Sequence, residues 1–138
     1  MRLAPHLIAR ETDRWTEILF RALSSKVAKR WRFVSFRGKG RGEWRGIVDV
    51  LAIRKNTSLP ATLALKRGDL FDIILIQMKG GSARTPSMAE KRRLQDVAQH
   101  YAAREVVLFE WKRGKGTAFS TLGDTLEWRP STRPEIFG

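Results

Sequence analysis

The chain predicts an α/β fold, with a mixed central sheet flanked by helices, on three observations. Segments of helical and strand period alternate in the order helix, three strands, helix, then further strands. The run Ile73 to Met78 is nearly continuous in apolar residues, as a strand covered on both faces must be. A helical pattern separates that strand from the next, so at least one strand-helix-strand crossover joins parallel neighbours.

The first helix is expected from about 9 to 28, where Trp15, Ile18, Leu19, Ala22 and Leu23 recur at helical spacing and Thr12 or Asp13 can cap the main part. From Trp31 to Phe36 the aromatic and β-branched content favours a strand. The glycines of Arg37-Gly38-Lys39-Gly40-Arg41-Gly42 make a regular element costly in entropy, so this segment reads as a loop. Trp44 to Ile53 is the second strand, ended by the turn residues of Asn56-Thr57-Ser58-Leu59-Pro60. Residues 61 to 70 fit neither template.

The third strand, Ile73 to Met78 at its core, belongs in the middle of the sheet. After Gly80-Gly81, Thr85-Pro86 offers an N-cap with proline at the first helical position, and Ser87 with Glu90 offers an overlapping capping box. Leu94, Val97, Ala98, Tyr101 and Ala102 form the buried stripe of this second helix. Glu105 to Trp111 is a further buried strand, and Gly114 and Gly116 turn the chain into Thr117 to Leu122. The tail from about 123 carries prolines and reads as irregular.

With 138 residues and 42% hydrophobic content, a single domain with one core is expected. Lys and Arg number 27 against 14 Asp and Glu, a formal charge of +13, so the chain attracts polyanions before any specific contact forms. Nucleic acid is the leading partner. The basic residues are scattered instead of gathered on one amphipathic helix, which ranks a membrane surface well below it. Without cysteine there are no disulfides, thiolate metal sites or thiol nucleophiles. No window approaches the roughly 18 apolar residues of a membrane span, and the expectation is a cytoplasmic protein.

The residues that suggest chemistry sit on the two apolar strands. Asp49 lies in Gly46-Ile47-Val48-Asp49-Val50-Leu51-Ala52-Ile53, and Gln77-Met78-Lys79 closes Phe71-Asp72-Ile73-Ile74-Leu75-Ile76-Gln77-Met78-Lys79-Gly80-Gly81. By the two-residue period, Gln77 and Lys79 leave the same face, about 7 Å apart along the strand, and Asp72 leaves the opposite one. Taken singly, Asp49 reads as a strand charge that discourages edge pairing and Lys79 as a snorkelling strand end. The three together resemble the PD-(D/E)XK nuclease superfamily, in its Gln-x-Lys form similar to Mrr-type endonucleases.

That resemblance implies a restriction-endonuclease-like α-β-β-β-α-β core over roughly residues 12 to 111. It implies magnesium-dependent hydrolysis of DNA phosphodiesters, with manganese as an alternative ion. Asp49 and Gln77 would be metal ligands, the Met78 main-chain carbonyl could join them, and Lys79 would activate water and stabilise the transition state. A glutamate of the first helix often completes such sites. Glu17, in Glu17-Ile18-Leu19-Phe20-Arg21-Ala22-Leu23, has the matching spacing, with Glu11 as its competitor. Dimerisation to cut both strands is a further option that the family carries.

The basic tract from Lys26 to Arg45, which includes Lys39, Arg41 and Arg45 and is interleaved with Trp31, Phe33 and Trp44, suits phosphate contacts and base stacking. Arg84 and Arg92 extend the candidate nucleic-acid-binding set, although Arg92, Arg93, Gln95 and Gln99 also read as a solvated helix face. Gly38-Lys39-Gly40 lacks phosphate-loop spacing, and His6 and His100 do not form a zinc-binding pair. The alternatives are a non-catalytic basic nucleic-acid-binding module on the same fold and a nuclease directed at RNA.

Overall fold

The computed structural model describes residues 20, 30–36, 46–58, 64–80, 85–112, 114 and 116–138. Among the described residues six strands form one sheet: β1 (Arg32–Ser35), β2 (Val50–Lys55), β3 (Phe71–Gly80), β4 (Glu105–Lys112), β5 (Gly116–Leu122) and β6 (Trp128–Ser131). Their spatial order follows the chain, β1-β2-β3-β4-β5-β6. Neighbours are antiparallel except β3 and β4, which run parallel with Ile74 opposite Glu105 and Gly80 opposite Trp111. Helix α1 (Met88–His100) supplies the crossover that a parallel pair requires, and a short α2 (Arg133–Phe137) follows β6. Among the described residues the result is a mixed sheet with two complete helices and a predominance of strand.

Burial follows the two-residue period. One face of the sheet packs Val50, Ala52, Ile74, Ile76, Met78, Val107, Phe109 and Phe119 against Phe20, Trp31, Ile136 and Phe137. The other face packs Leu75 and Val106 against Leu94 of α1, with Leu51, Ile73, Val97, Leu122 and Trp128 around them. In β3, residues Ile74 to Met78 are all buried, which places this strand in the interior, third of six. Phe20 is helical and fully buried, although the stripe expected for the first helix did not include it. The rest of that helix lies outside the described residues.

The α1 start follows the second of the two caps that the sequence offers. Ser87 is the N-cap, its hydroxyl accepting the Glu90 N–H at 3.2 Å while the Glu90 carboxylate accepts the Ser87 N–H at 3.2 Å. At the other end the buried stripe is shorter than expected. Tyr101 is 59% exposed and Ala102 is also exposed, because the helix closes at His100 in a Schellman motif. The Ala103 N–H donates to the Ala98 carbonyl at 2.8 Å, the Ala102 N–H donates to the Gln99 carbonyl at 3.3 Å, and Ala102 takes φ 51°. A left-handed alanine is strained by about 1–2 kcal/mol. Ala102→Gly is therefore expected to stabilise the protein by about 1 kcal/mol in urea denaturation.

Two strand expectations need correction. Among the described residues the second strand begins at Val50 and runs past Ile53 to Lys55, while Gly46, Ile47 and Asp49 form bends; Trp44 and Arg45 lie outside the described residues. The Asp49 N–H donates to the Ile76 carbonyl at 2.9 Å, and its carboxylate accepts the Met78 N–H at 2.7 Å, so the side chain takes the place of a ladder partner where the strand starts. The tail is also ordered. Pro130 sits on the outer strand β6, where the missing N–H is tolerated. Pro134 falls in the first turn of α2, where the helix needs no donor, and the Thr132 hydroxyl caps that helix by accepting the Glu135 N–H at 3.4 Å. Ile136 and Phe137 then enter the core, and the Trp31 Nε1–H donates to the Phe137 carbonyl at 2.9 Å in a buried bond. No helix among the described residues is long and apolar enough to cross a membrane.

Candidate functional site

Gln77 is the buried polar side chain of the described core, 4% exposed on an otherwise apolar strand. Its Oε1 is buried and has no hydrogen-bond partner among the described residues. A lone buried acceptor costs about 1–3 kcal/mol, so packing gives no reason for an amide here where leucine would serve. Alternation puts Gln77 on the face that α1 covers, together with Leu75 and Lys79. Asp49 meets the same strand end, with its carboxylate on the peptide N–H that links Gln77 to Met78. Asp49, Gln77 and Lys79 thus come together at the junction where β2 starts and β3 ends.

A fourth group joins them, one that the sequence marks only as a helix cap. Glu90, at the third position of α1, places its Oε2 3.9 Å from Lys79 Nζ. Its carboxyl is held below the ordinary range, first by the Ser87 backbone N–H and then by the Lys79 ammonium and the Ser87 hydroxyl, with burial opposing and the Gln77 amide adding the weakest contribution. The sequence signal was the capping box itself. A carboxylate three residues into a helix that begins soon after Gly80-Gly81 has a short path back to the end of the preceding strand.

Arg92 is exposed on α1. Glu17, Lys39, Arg41, Arg45 and Arg84 lie outside the described residues. Among the described residues no three His, Asp or Glu side chains gather as a metal-binding cluster. Asp72 lies near the opposite end of β3, where it accepts from Arg54 Nε at 3.0 Å and Asn56 Nδ2 at 3.1 Å, with Arg104 at 3.7 Å. Arg54 also lies over the Trp31 ring, 4.4 Å from its centroid. Asp69 closes a turn by accepting the Lys66 N–H at 2.7 Å. Arg30, Arg54, Lys55 and Arg104 help to line a polar cavity of about 420 Å³ at this end.

A second cavity, of about 450 Å³, opens between α1 and strands β4 and β5, with Gln95, Glu105 and Arg129 in its wall. Burial pushes the Glu105 carboxyl up, against the pull of Arg104. Between the unfolded and folded pKa the folded state holds more protons, so stability falls as pH rises through that window and the deficit persists at neutral pH. Glu105→Gln removes the charge. Its Tm is expected to exceed that of the wild type at pH 7, with the gap closing near pH 4; an unchanged gap across a pH series of thermal melts would contradict this.

No family model matches the chain, and no curated protein matches it.

Proposed function

We propose that this chain is a metal-dependent nuclease that hydrolyses DNA phosphodiesters, built as a single restriction-endonuclease-like domain and working in the cytoplasm. The observation that carries the reading is the buried, unpartnered Oε1 of Gln77 at a strand end that also receives the Asp49 carboxylate and presents Lys79. An oxygen acceptor without a donor, beside a carboxylate, suits a hard cation, which takes oxygen ligands and needs only one or two protein carboxylates. Asp49 and Gln77 would hold Mg²⁺ or Mn²⁺, with Glu17 as the candidate third ligand from the resemblance. The bound ion would supply Lewis-acid polarisation of the phosphoryl group and a more acidic water.

The protein's own groups divide the remaining work. The Asp49 carboxylate is held in place by the Met78 N–H, so it needs little reorganisation to act as an anchor. Lys79 is only 24% exposed, and its ammonium stands on the same face as Gln77, where it can orient water and offset charge building on the phosphoryl oxygens. The excess of 27 basic over 14 acidic residues draws the DNA backbone in, through contacts that do not select sequence.

The test is cleavage of supercoiled, linear and single-stranded DNA and of RNA with Mg²⁺ or Mn²⁺. Asp49→Ala is expected to abolish cleavage while salt-sensitive DNA binding persists. A second reading is favoured by the neutral amide of Gln77, which holds a cation less tightly than a carboxylate: a basic nucleic-acid-binding module that no longer cuts. Wild-type protein that binds DNA but cleaves no member of the panel would establish that reading in place of the first.

A further inference from the structure

We infer that Glu90 is a positioning residue for the candidate site: it fixes which end of the Gln77 amide faces the cation and tethers the Lys79 ammonium beside it. The inference rests on the metal-site reading of Gln77 and gives a role there to the residue of α1 that stands beside Lys79.

The geometry supplies the steps. Gln77 and Lys79 leave β3 on the face that α1 covers, and Glu90 stands in the first turn of α1 with its Oε2 3.9 Å from Lys79 Nζ. The other carboxylate oxygen, Oε1, accepts the Ser87 backbone N–H at 3.2 Å, so the group is anchored at a helix start instead of swinging on a free side chain. A glutamine side chain ends in one acceptor oxygen and one amino group that only donates. An ionised carboxylate only accepts, so Nε2 is the end of the amide that Glu90 would draw towards itself, in keeping with the small part Gln77 has in holding the Glu90 carboxyl low.

The Gln77 oxygen is then the end turned away, and Oε1 is the atom that the core leaves buried without a partner. A carboxylate drawing on the amide N–H also shifts electron density onto the amide oxygen, which makes a neutral ligand more basic. In this arrangement the negative charge missing from the ligand itself stands one residue behind it.

The experiment titrates Mn²⁺ alone into the full chain, followed by electron paramagnetic resonance, for wild type, Glu90→Gln, Gln77→Glu and the double variant. Glutamine at the third helical position still completes a capping box, so Glu90→Gln is expected to keep the wild-type Tm. Its amide can present either end to Gln77 and no longer selects one, and Mn²⁺ affinity is expected to fall about 10-fold or more, the usual size for loss of a partner behind a metal ligand. In the double variant a carboxylate at position 77 offers oxygen at both ends and needs no orienting partner, so affinity is expected to return to within a few-fold of wild type. In the metal-free protein, Glu90→Gln is also expected to shift the side-chain NH₂ signals of Gln77 in an amide NMR spectrum.

Wild-type affinity in Glu90→Gln, or unmoved Gln77 signals, would reduce Glu90 to a cap while leaving the metal reading standing. Wild-type protein that takes up no Mn²⁺ would overturn the metal reading and this inference together.

Discussion

Lys79→Ala is expected to slow metal-dependent DNA cleavage by about 10²–10⁴-fold, the range for loss of a group that moves or positions a proton in the reaction. Binding should change little, because Lys79 is one of 27 basic residues, and the slope of log affinity against log salt should move by about one phosphate contact at most. The separation is what makes the experiment informative: a plasmid-nicking assay reports the chemistry, and a salt titration of binding reports the charge. Lys79→Arg keeps the charge but is not expected to restore the rate. A guanidinium donates in a fixed planar fork, whereas a lysine's compact ammonium is a point charge on a flexible stem that can turn towards a bound water. Equal cleavage by Lys79→Ala and wild type would remove Lys79 from the reaction.

Phe109→Ala is expected to cost about 3–5 kcal/mol. Phe109 is fully buried on β4, packed edge-on against Phe20 at 5.4 Å and tilted against Phe119 at 5.0 Å. Truncation loses the transfer energy of the ring and leaves a cavity beneath a strand whose neighbours on both sides limit collapse. Against a total stability on the order of 5–15 kcal/mol, that is a large fraction, and Tm should fall by roughly 10–20 °C. Phe71→Ala, at a residue 57% exposed at the start of β3, serves as the control and is expected to stay within about 0.5 kcal/mol. Similar urea midpoints for the two variants would mean that the aromatic cluster is not the centre of the core.

What could be read from the chain beforehand was whatever local chemistry decides. The apolar run in β3 admitted only an interior strand, the Ser87 and Glu90 pair only a helix start, and the glycines after β4 only a turn. Boundaries that depend on distant partners were not legible. The start of β2 is set by Asp49 bonding to residues far along the chain, at Ile76 and Met78. The end of α1 is set by a left-handed alanine where glycine would have announced it. The prolines of the tail suggest an irregular segment, yet one sits on an outer strand and the other in a first helical turn, the places that tolerate them. For the candidate site, strand period showed only that Gln77 and Lys79 share a face, and their part in a site was implied by the resemblance. Glu90 was not legible there, since its approach to Lys79 arises only when the crossover helix folds back over β3.

The bond from the Trp31 indole to the Phe137 carbonyl has a reach beyond its own length. Trp31 leads directly into one rim of the sheet, and Phe137 belongs to the helix that follows the strand on the opposite rim. Their contact passes beneath one face like a clasp, with Phe33 and Phe137 stacked edge-on next to it at 5.7 Å. Neither margin can peel outward without drawing on the packing that secures the other. An outer ribbon of four residues, which would otherwise fray independently, therefore shares the fate of the whole.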